Sequence, residues 1–272
     1  MSDLAKKPVI TRRSGLLMLA AVCCSSASLA DTTLTFSSEG DSLPQTIAIG
    51  SGKLRIDSAG ESSWMLYDLS QNAMYMVDDA EQQYYRIDQS QIEQLGQTLG
   101  DLTSQLDSAL ANLPPEQRAA AKAMMKDMMP ANKDKSDAPM IDVRATGKSD
   151  KVADIACSVH ETWVADQRKN EVCVADSDAL KLSREDERTM RGMAELMQEL
   201  VDEVQKSVGD LLPENIAGDG LAQLMANGMP VRVHDYENGS SAELSAVSHD
   251  DIAASRLSVP EGYQAQSMDM GQ

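Results

Sequence analysis

Between residues 88 and 92 the apolar pattern changes its period from two to three or four, and this limits the possible folds more than any other feature. Before the change come short alternating runs: Thr33-Leu34-Thr35-Phe36, Thr46-Ile47-Ala48-Ile49, Lys53-Leu54-Arg55-Ile56-Asp57, Ser63 to Leu69, Ala73 to Val77 and Gln82 to Ile87. The intervening Gly50-Ser51-Gly52, Ser70-Gln71-Asn72 and Asp78-Asp79 hold residues that favour chain reversal. Runs of this length and spacing predict an antiparallel strand meander over residues 31–88. After the change, Ile92, Leu95, Leu99, Leu102, Leu106, Ala109 and Leu113 form the stripe of one helix. Gly96 and Gly100 weaken it by up to about 1 kcal/mol each relative to Ala. We read this helix as cover for one sheet face. The alternative is a dimerising coiled-coil seam.

Pro114-Pro115 break this helix and start another, Glu116 to Met129, followed by a linker-like loop over residues 130–139. Strands resume at Met140 to Arg144. Ile155 to Val164 and Glu171 to Val174 alternate again, with a polar turn at Asp166 to Asn170. Ser183 caps a long helix, with Asp186 three residues on and Glu185 and Glu187 favouring its positive end. Met190, Met193, Met197, Leu200, Val204 and Val208 line one face of it. A short helix over Leu221 to Ala226 precedes two strands, Met229 to Tyr236 and Ala242 to Val247, joined through Asn238-Gly239. The predicted architecture is one α+β domain over residues 31–272. A curved antiparallel sheet is covered on one face by helices, with helical insertions near 90–130 and 183–226.

Residues 1–30 read as an export signal. Lys6, Lys7, Arg12 and Arg13 precede the apolar run Gly15 to Val22, and Ser28-Leu29-Ala30 places small residues where a signal peptidase cuts, after Ala30. The run is too short to span a bilayer, so the mature chain is expected to have no integral membrane segment and to be periplasmic. Arg12-Arg13 partly matches a twin-arginine signal, but Gly15 stands where a bulky residue is usual, which favours ordinary Sec export. Lipid anchoring at Cys23 is disfavoured because Ala20-Ala21-Val22 is a poor lipobox. Two cysteines then remain, Cys157 and Cys173. An even number in an oxidising compartment predicts a structural disulfide stapling a hairpin. Fifteen intervening residues do not make a redox Cys-x-x-Cys motif.

Removing the four basic residues and one acid of residues 1–30 leaves 20 basic and 42 acidic groups, a net charge of −22. This argues against nucleic acid as a main partner, because phosphate binding needs clustered Lys and Arg. Methionine is the unusual residue: the chain has 17, against a single Phe. Met124 and Met128 sit one helical turn apart, Met193 and Met197 repeat the spacing, and Met74 and Met76 share a strand face. Thioethers fill cores, line adaptable apolar surfaces and ligate Cu(I). The core and cavity readings are favoured because these residues lie at core spacing rather than on loops. His160, His234 and His249 lie far apart, none with a neighbour at zinc spacing. No Gly-x-Ser-x-Gly elbow or phosphate loop occurs. No cofactor or metal is expected, and a non-enzymatic role is.

Lys53 to Asp57, Leu66-Tyr67-Asp68-Leu69, Ala73 to Val77, Tyr84-Tyr85, Gly228 to Val233 and Val259-Pro260-Glu261-Gly262-Tyr263 follow in an order that spans nearly the whole mature chain. In this order the chain resembles the LolA-like group of exported carriers, most closely an uncharacterised bacterial family of that fold. The resemblance implies a half-barrel of antiparallel strands, a helical lid and an apolar cavity that holds acyl chains. No cavity motif matches residue for residue, and the longer helical insertions depart from the simplest carriers. The candidate cavity residues are Trp64, Leu66, Met74, Met76, Met124, Met128, Met193 and Met197. The expected ligand is an acyl chain, lipid or lipidated peptide. A structural or protein-interaction module of the envelope is the alternative, and a Met-based Cu(I) buffer the third.

Overall fold

The computed structural model describes residues 31–40, 45–118, 142–164, 166–208 and 228–267. Residues 1–30, read above as an export signal, the helix expected over Glu116 to Met129 from residue 119 on, the helix expected over Leu221 to Ala226, and the loop at 130–139 lie outside the described residues. Among the described residues twelve strands form one open, curved, mostly antiparallel sheet. They are β1 (Thr32–Glu39), β2 (Gln45–Gly50), β3 (Lys53–Ser58), β4 (Ser63–Asp68), β5 (Ala73–Asp78), β6 (Gln83–Asp88), β7 (Asp142–Val152), β8 (Ile155–Val164), β9 (Gln167–Ala175), β10 (Met229–Asp235), β11 (Ser241–Ser248) and β12 (Gln264–Gln266). The order across the sheet is β12-β6-β5-β4-β3-β2-β1-β11-β10-β9-β8-β7. The first strand is therefore central, joining the meander β1–β6 to the second meander β7–β11 through its pairing with β11. Among the described residues only β12 is parallel to its neighbour, β6.

The strands of the first meander form where alternation and turn chemistry place them. Ser51 (φ 51°) and Gly52 (φ 69°) are both left-handed between β2 and β3, the reversal a two-residue hairpin needs. The second meander differs from expectation at its turns. Strand β7 runs on to Val152 and reverses through Ala153 (φ 47°) and Asp154 (φ 65°), residues without a glycine signal. The five-residue polar turn at 166–170 is instead mostly strand: Val164 pairs with Gln167, and β9 starts there.

Helix α1 (Gln89–Ala111) starts at Asp88, whose side chain accepts from the Gln91 N–H. Arg118 donates to the carbonyls of Leu110, Ala111 and Leu113 at 3.0, 2.6 and 3.1 Å, satisfying groups a helix end leaves open. Helix α2 (Arg184–Val208) has the expected reciprocal cap. The Asp186 N–H donates to Ser183 Oγ, and the Ser183 N–H donates to Asp186 Oδ2, both at 3.0 Å. Helix α2 packs on β2, β3 and β4, and α1 packs on α2 and β6. The main core lies between them: Leu34, Ile49, Leu54, Tyr67, Met74, Ile87, Met190 and Leu196 are all buried in it. The helix α1 stripe is only partly covered. Ile92 is buried, Leu95, Leu99, Leu106 and Leu113 are half-buried, Ala109 is exposed, and Leu102 is 60% exposed.

Candidate functional site

Because side chains alternate between faces along a strand, register decides which residues share a surface. Two cross-strand rows run over the helix-facing side of β1–β6. The inner row is Thr32, Ile49, Leu54, Tyr67, Met74 and Ile87, linked pair by pair and wholly buried. The next row is Leu34, Ile47, Ile56, Met65, Met76 and Tyr85, continued by Val247 on β11. Leu34 is buried, Val247, Ile47, Ile56, Met65 and Tyr85 are half-buried, and Met76 is 38% exposed. Beyond it Gln45, Ser58, Ser63, Asp78 and Gln83 make a polar rim. Strands lie about 4.8 Å apart, so the row from Leu34 to Tyr85 is about 24 Å long. It is a long apolar strip at the margin of the helical cover, and its groups are alkyl chains, thioethers and one phenol.

The sequence-derived cavity residues do not share this surface. Met74 and Met76 belong to it, buried and exposed respectively. Met193 and Met197 reach the same core from α2, half-buried. Trp64 and Leu66 lie on the opposite face, in a separate cluster with Ala73, Tyr75 and Val77 that Tyr84, Val259 and Tyr263 cover. Their parity along β4 decides this: Met65 and Tyr67 face the helices, so Trp64 and Leu66 cannot. Met124 and Met128 lie outside the described residues. Met65, Ile47, Ile56 and Tyr85 were missed, although counting by twos from Met76 and Leu54 with the register fixed finds them.

The outer cluster is polar at its margin. The Arg55 guanidinium lies 3.6 Å over the Trp64 ring and donates to Asp57 at 2.6 and 2.8 Å. Arg256, in a short 3-10 helix (Ala254–Leu257), donates to Asp57 at 3.0 Å. The Trp64 indole N–H and the Tyr263 hydroxyl both donate to Asp79 Oδ1, at 2.9 and 3.0 Å. On the helix side Tyr67 donates to Asn72 Oδ1 at 3.0 Å. Burial pushes its hydroxyl pKa up, and Glu195, Asp68 and Glu199 add to the shift, so it stays a neutral donor.

Cys157 and Cys173 are joined, with Cα atoms 5.5 Å apart, and both are buried. They bridge β8 and β9 diagonally, since Cys173 pairs with Val159. Arg232, opposite Cys173 on β10, reaches Asp150, opposite Cys157 on β7, at 2.8 Å. The ion pair therefore straddles the disulfide, and the strands between must curl for it to form. Among the described residues no group of three His, Cys, Asp or Glu side chains is placed to hold a metal ion. His234 packs edge-on against Tyr236, and His249 Nδ1 lies 3.5 Å from Thr32 Oγ1.

No protein-family model and no curated protein matches the chain. It is similar in structure to an uncharacterised conserved protein from Thermus thermophilus, at 7% identity and a TM-score of 0.40, covering 88% of this chain and 90% of that one. It is also similar to PNGF-II in two crystal forms, at 9% and 8% identity and TM-scores of 0.40 and 0.39, where it spans 31% of that longer chain. Likenesses this low carry no functional argument. Among the described residues no helix is long and apolar enough to cross a membrane.

Proposed function

We propose that the mature chain is an exported, non-enzymatic protein that binds an apolar ligand against the helix-facing side of its sheet. The ligand class is an acyl chain, a lipid or a lipidated peptide, and the fold is read as a LolA-like half-barrel with α1 and α2 as its lid. The observation that carries this reading is the strip Ile47, Ile56, Met65, Met76 and Tyr85, apolar yet half-exposed beside a fully buried row. An alkyl chain laid along it gains about 0.8 kcal/mol per buried methylene. Thioethers adapt to chains of different shape. The signal-like residues 1–30 and the Cys157–Cys173 bond support export.

The test is native mass spectrometry with organic extraction on residues 31–272 isolated under mild conditions, followed by titration with a fluorescent long-chain fatty acid. A co-purifying acylated species or saturable uptake of the probe is expected. A clean apo mass together with no uptake would overturn the proposal. A second reading, a protein-interaction module, is favoured by one feature only, the uncovered Leu102 on α1. A concentration-independent monomer mass would remove its self-associating, coiled-coil form.

A further inference from the structure

The described methionines differ sharply in access to solvent. Met74, Met190 and Met229 are 3%, 7% and 7% exposed, whereas Met76 is 38% exposed. Met76 sits in the apolar strip, directly opposite half-buried Met65 on β4 and Tyr85 on β6. The joined Cys157–Cys173 pair points to an oxidising environment, and an accessible thioether is the side chain in this strip that such an environment attacks.

We infer that Met76 is a sulfoxidation site whose oxidation by a peroxide turns the strip polar next to its Tyr85 end. The peroxide transfers one oxygen to the thioether. An S–O bond forms as the O–O bond breaks, sulfur gives up two electrons, and hydrogen peroxide leaves as water. The sulfoxide oxygen is a strong acceptor. An alkyl chain lying across it removes its water and offers no donor in exchange, a penalty that weakens binding by roughly tenfold. The fold is spared, because Met76 lies at the margin while Met74, two residues away on the same face, is sealed. The modification stands on exposure alone; its effect on binding rests on the apolar-ligand reading.

The test is graded hydrogen peroxide treatment of residues 31–272 with the disulfide intact, followed by peptide mass spectrometry and titration with the fluorescent fatty acid. Met76 sulfoxide is expected to accumulate roughly tenfold faster than that of Met74, Met190 or Met229, and probe affinity is expected to fall with it. The Met76→Leu variant, whatever its own affinity, should lose this peroxide response. Met76 oxidising no faster than the buried methionines would overturn the site. A peroxide response that persists in Met76→Leu would overturn the regulatory role. If untreated protein takes up no probe at all, the apolar-ligand reading and the regulatory role fall together, while the sulfoxide map still decides the modification site.

Discussion

Asp68 ends β4 as a buried carboxylate, 5% exposed. It accepts from the Ser70 N–H at 2.9 Å, the Ser70 hydroxyl at 2.6 Å and the Gln71 amide at 3.0 Å. Lys53, its cross-strand partner, holds an ammonium 3.8 Å away. Burial alone would push the Asp68 carboxyl pKa up. The hydrogen bonds and the lysine outweigh burial and hold it below the usual carboxylate range. A depressed folded pKa makes this stabilisation complete above the unfolded value of about 3.9, and it is lost as pH falls through the folded value. Asp88, the cap of α1, shifts the same way through the Ser90 hydroxyl, with the Gln91 N–H and Arg86 assisting against burial. Asp68→Asn is therefore expected to cost roughly 1–2 kcal/mol at pH 6, with the gap to the wild type narrowing towards pH 2. Urea midpoints across that range would show it. A gap that stays constant with pH would mean that the carboxylate charge is not what stabilises the turn.

Helix α2 approaches the sheet closely at Gly192, where a Cβ would stand 2.5 Å from the Tyr67 hydroxyl and 3.0 Å from Leu69 Cδ1. Tyr67 is wholly buried and hydrogen-bonded, so it has nowhere to move. Gly192→Ala is expected to destabilise the fold by roughly 1–3 kcal/mol. Gly100 on α1 has open space around its Cβ position, and Gly100→Ala is expected to stabilise by up to about 1 kcal/mol through helix propensity. Denaturation midpoints that shift in the same direction for both variants would refute this account of how the two helices pack. Sequence alone makes both glycines look like weak points, since propensity carries no information about what a helix faces. It does place the Ser51-Gly52 reversal and the Ser183 cap, because those signals are local. What it leaves unread is non-local. Residues Trp64 to Tyr67 are apolar at every position, which marks a strand covered on both faces. Only pairing with β5 sorts Met65 towards the strip and Trp64 away from it. Strand β12, Gln-Ala-Gln, has no pattern to read.

Across the whole molecule the two faces of β3–β6 are closed by different means: helices on one side, and on the other the chain that follows β11. That chain is fixed near β1 by the Ile252 N–H donating to Asp31 Oδ2 at 2.7 Å. It crosses Arg55 and Asp57 through Arg256, lays Val259 and Tyr263 over the Trp64 cluster, and ends as β12 beside β6. It thus links the central strand to the edge of the sheet. A stop after Ser258 removes Val259, Tyr263 and β12 together. Trp64, only 5% exposed in the intact chain, would lose its cover and the Tyr263 hydroxyl that shares Asp79 with it. The loss of two large side chains from an apolar cluster is expected to cost roughly 2–4 kcal/mol. With Trp163 replaced by Phe in both chains, so that emission reports Trp64 alone, the shortened protein should show a red-shifted spectrum and a lower denaturation midpoint. Fatty-acid uptake on the other face should persist below that midpoint if the two faces are separate, as their distinct clusters indicate. Unchanged emission and stability would mean that the strap only lies on the sheet, and that Arg55 and Asp79 are enough to keep Trp64 covered.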